Sequence, residues 1–594
     1  MTATSPLTWQ LLRDLELSEL TEACDGWAAV SRYADSARER VDAGMSGKLS
    51  GTQESESANA AVKRLKRLSE NYHYIHTETG LIRGTIDGLA TELAAPRRRL
   101  HSALDEAASH GYAVNADGTV DYPAGGEDTM NGGKFPGGTV VGNNGFYGSG
   151  NPGLYLDGTG KYNPSVGPGT PRLKNPNPHH AKAQEIADRI AHALREAREI
   201  DERYSTALHK LKAAPGLAVD TKIWADVAAD VSTVDNAARN YLASQVLDKS
   251  PEGRKEWWEN LSKKEREEYI TSFPDVIGNL DGIPAETRDE ANRENLRLTI
   301  ASLEGQKGED AQEKLQGLKG IQEKLKQATY PPMYLLGVGI EGNGRAIVSY
   351  GNPDTAKNVS AYVPGLGTKL NADFADDTVR RAFQTAKGAQ AYNPSSASIV
   401  WLGYDAPDLL GVGSTTDAKK GAPDYSTFMD GVRTTNEHKN PHITAIGHSY
   451  GSLAVGTAAR QHGGIPGVDD IILLGSPGTG AQHASELNVG KEHVFVGSAD
   501  NDPVTHLPPW KEVLLGFKKY GDDQLYFGRD PASDKFGATR MESGDGPLPL
   551  WLSGKGVTPA HSGYFDAERN PSAADNIARI VAGRSDSITT EAPR

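Results

Sequence analysis

Apolar residues in the first part of the chain recur at the spacing of a helix. Between Leu7 and about His110, aliphatic residues stand three, four or seven positions apart with charged residues between them, as in amphipathic helices. A Gly- and Ser-containing gap at Gly44–Gly51 separates the later helix from an earlier one over Trp27–Val41. Two long helices joined by such a turn form an antiparallel hairpin. The pattern therefore predicts an N-terminal helical-hairpin domain over residues 1–122.

The next tract, from Pro123 to Pro178, is rich in Gly, Asn and Pro. A segment of this composition buries too little apolar surface to offset the cost of ordering the chain. We therefore assign residues 123–180 to a linker. Helical periodicity returns after the linker and ends with a charged amphipathic helix predicted over Asp310–Ala328. Residues 181–330 are expected to form a helical region that packs on the domain that follows.

From Tyr334 onward the hydrophobic period changes from that of helices to that of strands. Two alternating runs, Tyr334–Glu341 and Arg345–Tyr350, flank a Gly-Asn-Gly turn and predict a β-hairpin. Short β-rich runs and helix-length stretches then alternate: the strands are Asn358–Val363, Ala397–Leu402, Ile443–Gly447, Asp470–Leu474 and His493–Gly497, and the helices include Ala372–Ala386, Ser426–His438, Ser452–Gln461 and Ser572–Val581. Such alternation predicts a mainly parallel sheet covered by helices on both faces. We predict an α/β-hydrolase fold for residues 331–594, preceded by an all-α helical region.

The motif Gly447-His448-Ser449-Tyr450-Gly451 lies between a predicted strand and a predicted helix. With 66 glycines in the chain, Gly-x-Ser-x-Gly arises easily by chance, so the setting of the motif decides its meaning. A tight strand-to-helix turn strains the backbone at Ser449 and projects its Oγ above the sheet, as a nucleophile requires. The start of the following helix offers the Tyr450 N–H to a developing oxyanion.

A serine nucleophile needs a general base and a carboxylate that orients the base. In this fold both follow the serine in sequence, with the acid first. Asp502 is the predicted acid because Pro and an aliphatic residue follow it, and Asp500 is the alternative. His561, in a loop just before the last helix, is the predicted base. His506 lies too close to the acid loop, and His448 belongs to the nucleophile turn itself.

The second oxyanion donor is expected after the third predicted strand. There the chain runs into the turn Pro364-Gly365-Leu366-Gly367-Thr368, whose N–H groups can face the nucleophile. Either Leu366 or Gly367 can supply that group, and we assign the oxyanion hole to Leu366 and Tyr450.

Several blocks of the chain resemble one known family. The blocks are Gly351-Asn352-Pro353-Asp354-Thr355-Ala356, Val363-Pro364-Gly365, Trp401-Leu402-Gly403-Tyr404-Asp405-Ala406-Pro407, the Ser449 motif, Asn501-Asp502-Pro503, Trp257-Trp258 and Ile277-Gly278-Asn279-Leu280-Asp281-Gly282. They resemble the actinobacterial α/β-hydrolase family of uncharacterised function called DUF1023, over about residues 180–590. The resemblance implies the hydrolase fold and the Ser449, Asp502 and His561 triad, without a settled substrate.

The N-terminal hairpin resembles the WXG100 class of type VII secretion substrates in its length and layout. Leu49-Ser50-Gly51 stands where that class has a Trp-x-Gly turn, and Tyr74 and Glu78 fit its Tyr-xxx-Glu export pattern. The resemblance implies either export or a protein partner, including self-association, at the hairpin.

Charge and composition exclude several other classes of protein. The net charge of −15 argues against nucleic acid as a partner, since phosphate binding needs a clustered basic surface. Cys24 is the single cysteine, which excludes an intramolecular disulfide framework and a cysteine zinc site. No metal or cofactor is expected. The sequence has neither a membrane-spanning apolar run nor a signal peptide, so we expect a cytoplasmic protein or export by a type VII-like route without cleavage.

These features predict a serine hydrolase, with a carboxylic ester as the expected substrate. A peptidase, amidase or acyltransferase with the same triad is one alternative. A secreted effector or binding protein with an inactive hydrolase fold is another. An apolar stretch that includes Leu507–Trp510 and Val513–Phe517 predicts either a lid over a small-molecule or lipid-like acyl substrate or simple packing.

Overall fold

A computed structural model of the protein describes residues 7–128, 132–143, 175–211, 219–408, 414–506, 523–546 and 559–594. The chain forms two compact units: the first contains Met1–Ala218 and Asp230–Leu242, and the second contains Val219–Ala229 and Ala243–Arg594. This grouping differs from the four predicted segments, because the helix that follows the predicted linker belongs to the first unit. Among the described residues, no helix is both long and apolar enough to cross a membrane.

Helices dominate the first unit. They are α1 (Trp9–Asp14), α2 (Leu17–Glu39), α3 (Gly47–Thr52), α4 (Glu56–Ser109) and α5 (His179–Lys210), and a π-helical segment, Arg40–Ser46, joins α2 to α3. Both α2 and α5 pack against the long helix α4. The contact between α4 and α5 includes a hydrogen bond of 2.6 Å from the Tyr204 hydroxyl to Glu92 Oε1.

The turn of the hairpin lies later in the chain than the sequence predicts. The expected gap at Gly44–Gly51 is helical, and the chain leaves the helix only at Gln53. Ser55 has an extended backbone, and its side chain accepts a hydrogen bond of 3.1 Å from the Ala58 N–H as the N-cap of α4. Glycine costs a helix about 1 kcal/mol per residue without preventing it. The serine cap rather than the glycines therefore fixes where the second helix begins.

Short strands occupy the described part of the predicted linker and the residues before it. They are β1 (Ala113–Val114), β2 (Val120–Tyr122), β3 (Gly125–Asp128), β4 (Gly133–Phe135) and β5 (Gly138–Val140), with β1, β2 and β5 in one sheet. The buried Asn177 donates through Nδ2 to the carbonyls of Pro123 and Pro136, at 2.9 Å each. Hydrogen bonds to one buried amide thus help to order a segment whose apolar content is low. The composition of the segment did not indicate this order.

The second unit begins with helices and continues into the sheet. Its helices are α7 (Pro251–Asn260), α8 (Lys263–Ser272), α9 (Pro274–Asn279), α10 (Ala285–Leu303), α11 (Glu309–Leu325), α12 (Val379–Tyr392), α13 (Thr416–Thr435), α14 (Gly451–Ala459), α15 (Pro559–Ser562) and α16 (Pro571–Val581), while α6 (Thr221–Leu242) begins in this unit and ends in the first. Two π-helical segments, Ala243–Leu247 and Phe374–Thr378, and the 3₁₀ turns Ala484–Leu487, Lys491–His493, Pro503–His506 and Ser585–Ser587 complete its helical content in the described residues.

Eight strands form the sheet of the second unit. They are β6 (Met333–Gly339), β7 (Arg345–Tyr350), β8 (Asn358–Val363), β9 (Ser396–Leu402), β10 (His442–His448), β11 (Asp470–Leu474), β12 (Val494–Gly497) and β15 (Thr539–Met541), while β13 (Gln524–Leu525) pairs with β14 (Gly528–Arg529) in a separate ribbon. The order is β15-β12-β11-β10-β8-β9-β7-β6. The pairs from β9 through β8 to β15 are parallel, and only the contacts of β7 are antiparallel. The predicted α/β-hydrolase fold is confirmed.

Alternation of side chains along the strands produces two apolar cores, one on each face of the sheet. In β8, Val359, Ala361 and Val363 belong to one core, while Tyr362 points into the other. Residues of α13 and α14 complete the first core, and residues of α12 and α16 complete the second. Both faces of the parallel sheet are covered, as the near-continuous apolar strands require.

Polar side chains of the preceding helices cover the edge strand β6. Asn279 accepts from the Val338 N–H at 2.8 Å and donates to the Val338 carbonyl at 3.0 Å, as a neighbouring strand would. Asp289 and Asn292 pair in the same manner with the N–H and the carbonyl of Leu335. An open strand edge favours aggregation, so the amide and carboxylate groups of α9 and α10 both satisfy and block it.

At the amino ends of the strands, His442 lies against acidic residues. Its Nε2 lies 3.1 Å from the Ile580 carbonyl and 3.2 Å from Asp470 Oδ2, and its Nδ1 lies 3.7 Å from Asp469 Oδ2. Burial disfavours the imidazolium form, but the two carboxylates and the carbonyl outweigh it and raise the pKa of His442.

We expect this raised pKa to make part of the stability pH-dependent. The contribution is fully present below about pH 6.5, the ordinary value for histidine, and is lost as the pH rises through the folded-state pKa. His442→Gln should therefore lower the free energy of unfolding by about 1 kcal/mol at pH 5.5 and by less at pH 9. Calorimetric unfolding at both pH values measures the difference, with the exposed His462→Gln as the control. A loss that stays constant or grows with pH contradicts this expectation.

Candidate active site

Ser449 occupies a strained turn between β10 and α14. Its φ of +56° lies in the left-handed region, which non-glycine residues rarely adopt; among the described residues only Asn488 shares this property. The Ser449 N–H donates to the Leu474 carbonyl of the neighbouring strand β11 at 2.9 Å. Surrounding contacts maintain such strain, and strained residues of this kind cluster at functional sites. Ser449 is itself buried, with 7% of its surface exposed.

The loop after β8 approaches Ser449 closely. A Cβ atom added at Gly365 would lie only 2.5 Å from Ser449 Cβ and 3.0 Å from its Oγ. A side chain at this position would therefore push the loop away from the serine. Glycine allows the main chain that follows β8 to lie directly beside the Ser449 hydroxyl.

Asp502 and His561 form a hydrogen-bonded pair. His561 Nδ1 donates to the carboxylate, at 2.9 Å from Oδ2 and 3.1 Å from Oδ1. The Tyr564 hydroxyl donates to Oδ2 at 2.8 Å, and the Val504 N–H donates to Oδ1 at 2.9 Å. The carboxylate is fully buried, and its oxygens accept from three groups, which fixes its orientation towards the imidazole.

The donors around Asp502 keep it ionised. Burial would raise the pKa of the carboxyl group, but the hydrogen bonds from His561, Tyr564 and the Val504 N–H outweigh burial and lower the pKa below its ordinary value. A buried carboxylate of this kind can hold an imidazole in one tautomer and stabilise its protonated form.

The alternative acid, Asp500, points elsewhere. Its side chain is 66% exposed, and Oδ1 accepts from Arg540 at 3.2 Å. The structure therefore brings Asp502, and not Asp500, to His561. His506, which the sequence argument set aside, ends the 3₁₀ turn that follows Asp502.

Ser449 and His561 approach the chain at adjacent residues, Leu474 and Gly475, and no hydrogen bond joins their side chains among the described residues. Leu474, which accepts from the Ser449 N–H, precedes Gly475 directly. A Cβ atom added at Gly475 would lie 2.7 Å from Asp502 Oδ2 and 2.8 Å from His561 Nδ1. Catalytic hydrogen bonds are often long in the absence of substrate and tighten on binding, so this arrangement is compatible with a serine–histidine contact.

The main-chain N–H groups of Tyr450 and Leu366 lie near Ser449 and have no protein acceptor among the described residues. Tyr450 is the N-cap of α14, at the positive end of the helix dipole. The neighbouring Gly367 N–H donates to the Pro407 carbonyl at 2.8 Å and is therefore occupied. Of the two candidates for the second donor, the geometry favours Leu366.

Two residues that touch the pair are absent from the site predicted from the sequence. Tyr564 orients Asp502 and is fully buried, and its position three residues after His561 was the available signal. His448 donates through Nε2 to the His561 carbonyl at 2.7 Å. Burial, reinforced by the nearby His561 and Arg381, places the pKa of His448 well below its ordinary value, so it is neutral. Only its place in the nucleophile motif could have indicated this role.

The lid predicted at Leu507–Trp510 and Val513–Phe517 lies outside the described residues. Within the described ranges, no three His, Cys, Asp or Glu side chains are arranged to hold a metal ion.

Comparison with known proteins agrees with the fold. Residues 340–512 match a family of α/β hydrolases, a range that includes Leu366, Ser449 and Asp502 but ends before His561. The chain is also 36% identical over 208 residues to the uncharacterised protein Mb0988c of Mycobacterium bovis, covering 33% of this chain and 76% of that protein. The chain belongs to this α/β-hydrolase family.

A second relative matches a longer part of the chain. It is the uncharacterised protein Rv2079 of Mycobacterium tuberculosis, 29% identical over 378 residues. The match covers 56% of each chain, so the present chain spans about half the length of that relative.

We expect Gly475→Ala to break the hydrogen bond between Asp502 and His561, since its methyl group would occupy space next to both side chains. The proton that this bond shares should give a far-downfield NMR signal that disappears in the variant. Gly463→Ala is the matched control, because Gly463 also has a positive φ but has open space around it. A signal that survives in Gly475→Ala and in the control alike would contradict this expectation.

Proposed function

We propose that the protein is a serine hydrolase that cleaves carboxylic esters. The observation that supports this most directly is the position of Ser449. Ser449 is held at positive φ, and its N–H donates to the Leu474 carbonyl. Leu474 is followed directly by Gly475, where an added Cβ atom would meet both Asp502 and His561. Ser449 and Asp502 follow the carboxyl ends of β10 and β12, the two strands on either side of β11, and His561 of α15 bonds to Asp502. The carboxyl edge of the parallel strands is the position expected for a site in an open α/β sheet.

In the proposed reaction, Ser449 Oγ attacks the acyl carbon of the ester. His561 Nε2 accepts the hydroxyl proton, and Asp502 stabilises the imidazolium that forms. The carbonyl oxygen of the ester becomes an oxyanion and accepts from the Tyr450 and Leu366 N–H groups. When the C–O bond breaks, His561 returns the proton to the leaving alcohol, and an acyl group remains on Ser449.

The second half of the proposed reaction repeats these steps with water. His561 removes a proton from a water molecule, which attacks the acyl carbon of the intermediate. The same two N–H groups hold the second oxyanion. Collapse of this oxyanion releases the carboxylic acid and returns the proton to Ser449 Oγ, so the enzyme ends in its starting state.

The finer assignments from the sequence stay predictions. These are membership of the DUF1023 family, the likeness of the hairpin to WXG100 substrates, a type VII-like export route, a partner at the hairpin, and a lipid-like acyl group. They concern features beyond the chemistry that the triad would perform, and the proposed esterase activity depends on none of them.

Removal of the Ser449 hydroxyl should abolish the activity, since no other group supplies the nucleophile. We expect Ser449→Ala to lower kcat for a chromogenic ester by about 10⁴–10⁶-fold and to prevent labelling by a fluorophosphonate. Ser452→Ala is the control: Ser452 is also buried, three residues away, but its Oγ donates to the Gly447 carbonyl. The control should still be labelled.

The same assay separates the proposed function from its alternatives. Esters of graded acyl length should be hydrolysed faster than the matching amides, whereas a preference for amides would identify an amidase or peptidase. Formation of a new ester with an added alcohol, at the expense of the acid, would identify an acyltransferase. A folded wild type that neither hydrolyses nor becomes labelled would support an inactive binding protein instead.

Asp502 and Asp500 form a matched pair that tests the assignment of the acid. Asp502→Asn replaces the carboxylate that accepts from His561, and we expect a fall in kcat of about 10⁴-fold. Asp500→Asn changes an exposed carboxylate bonded to Arg540, and kcat should stay within about threefold of wild type. The reverse order of the two losses would identify Asp500 as the acid.

A further inference from the structure

A short loop after β9, Tyr404–Pro407, contacts the segment that contains Leu366. We propose that Tyr404 is a positioning residue of the oxyanion hole, whose hydroxyl holds the loop after β8 so that the Leu366 N–H faces the reacting carbonyl. This inference rests on the proposed esterase function and assigns a role to a residue outside the triad.

The first contact is a hydrogen bond from the Tyr404 hydroxyl to the Pro364 carbonyl, at 2.7 Å. Tyr404 is buried, with 2% of its surface exposed, and its ring stacks on Trp401 with an interplanar angle of 11°. Burial keeps the pKa of Tyr404 well above its ordinary value, so the hydroxyl remains a donor. Because Tyr404 cannot move without disturbing the core, it fixes the point where the β8 loop begins.

The second contact lies on the other side of Leu366. There the Gly367 N–H donates to the Pro407 carbonyl at 2.8 Å. Gly365 and Leu366 thus lie between two positions, Pro364 and Gly367, that are both tied to Tyr404–Pro407. Within the β8 loop, Thr368 Oγ1 also donates to the Gly365 carbonyl at 2.8 Å. These bonds restrain the turn and leave the Leu366 N–H without a protein acceptor among the described residues.

The loop that holds Leu366 is itself anchored to the turn between β6 and β7. Asn343 donates through Nδ2 to the Ala406 carbonyl at 3.0 Å, and its N–H donates to Asp405 Oδ1 at 2.7 Å. Arg345 pairs with both oxygens of Asp405, at 2.7 and 3.0 Å. Hydrogen bonds, together with the main chain of residues 404–407, therefore connect an exterior turn to the loop of the proposed oxyanion hole.

Position matters here because an oxyanion donor acts through a short, directed hydrogen bond. Loss of one complete donor typically lowers kcat by about 10²–10³-fold. A donor that is displaced rather than removed should cost less, about 10–100-fold. The effect should fall on kcat and not on KM, since the oxyanion exists only in the transition state.

The test compares Tyr404→Phe with Tyr425→Phe in the full chain. Tyr425 is a matched control: it is equally buried, packs on Trp401, and donates to a main-chain carbonyl of β8, that of Ala361, at 3.0 Å. We expect Tyr404→Phe to lower kcat for a chromogenic ester by about 10–100-fold with KM within twofold. Its affinity for a trifluoromethyl ketone, which forms a tetrahedral oxyanion on the serine, should fall by the same factor. Tyr425→Phe should stay within about twofold in all three quantities.

Asn343→Ala provides a second variant with a smaller structural change, and it should shift kcat and ketone affinity in the same direction by a smaller factor. The inference is overturned if Tyr404→Phe retains wild-type kcat, or if both Phe variants lose activity equally with a parallel loss of thermal stability. In either case the wild type still hydrolyses esters and is labelled at Ser449. A wild type without hydrolysis or labelling would instead overturn the proposed function itself.

Discussion

The left-handed backbone of Ser449 is the constraint on which the rest of the site depends. A residue at φ +56° lies in this conformation only if its neighbours prevent relaxation. Here β11 accepts its N–H, and the loop after β8 lies against its side chain through Gly365. Strands β8 and β11 both run parallel to β10, so the register of these three central strands maintains the strain. The remaining groups of the site reach this point from the carboxyl ends of those strands and their neighbours.

In the second unit, the polar groups that cover the edge of the sheet are different from those that form the candidate site. The edge strand β6 pairs with side chains of α9 and α10, among them Asn279 and Asn292, which replace a missing strand. Asn279 belongs to the sequence block Ile277-Gly278-Asn279-Leu280-Asp281-Gly282, so its contact with β6 gives this block a structural role. The polar groups of α9 and α10 thus pair with the edge of the sheet. The polar groups in the loops after β8, β10 and β12 form the candidate site.

The sequence predicted the elements whose signals are local and failed where the signal is a distant contact. Strand β8 and the turn at Ser449 follow from apolar periodicity and a motif, and both lie where expected. The choice of Asp502 came from its local setting, and the structure shows why it suits: its neighbour Asp500 faces Arg540. The roles of Tyr564 and Tyr404 could not be found this way, because each acts on a residue about 40–60 positions away and tyrosine is common in cores. The same applies to Asn177, whose side chain links parts of a glycine-rich segment through hydrogen bonds.

The polar groups around the triad share an electrostatic consequence. Burial holds His448 neutral by lowering its pKa, and it holds Tyr564 neutral by raising its pKa. The rings of His448 and His561 are 4.5 Å apart, so a proton on His448 would repel the imidazolium that the proposed reaction requires on His561. Both neighbours stay uncharged, so neither opposes the attraction between Asp502 and a protonated His561. The packing that orients the pair therefore also keeps these two side chains neutral, as the proposed mechanism requires.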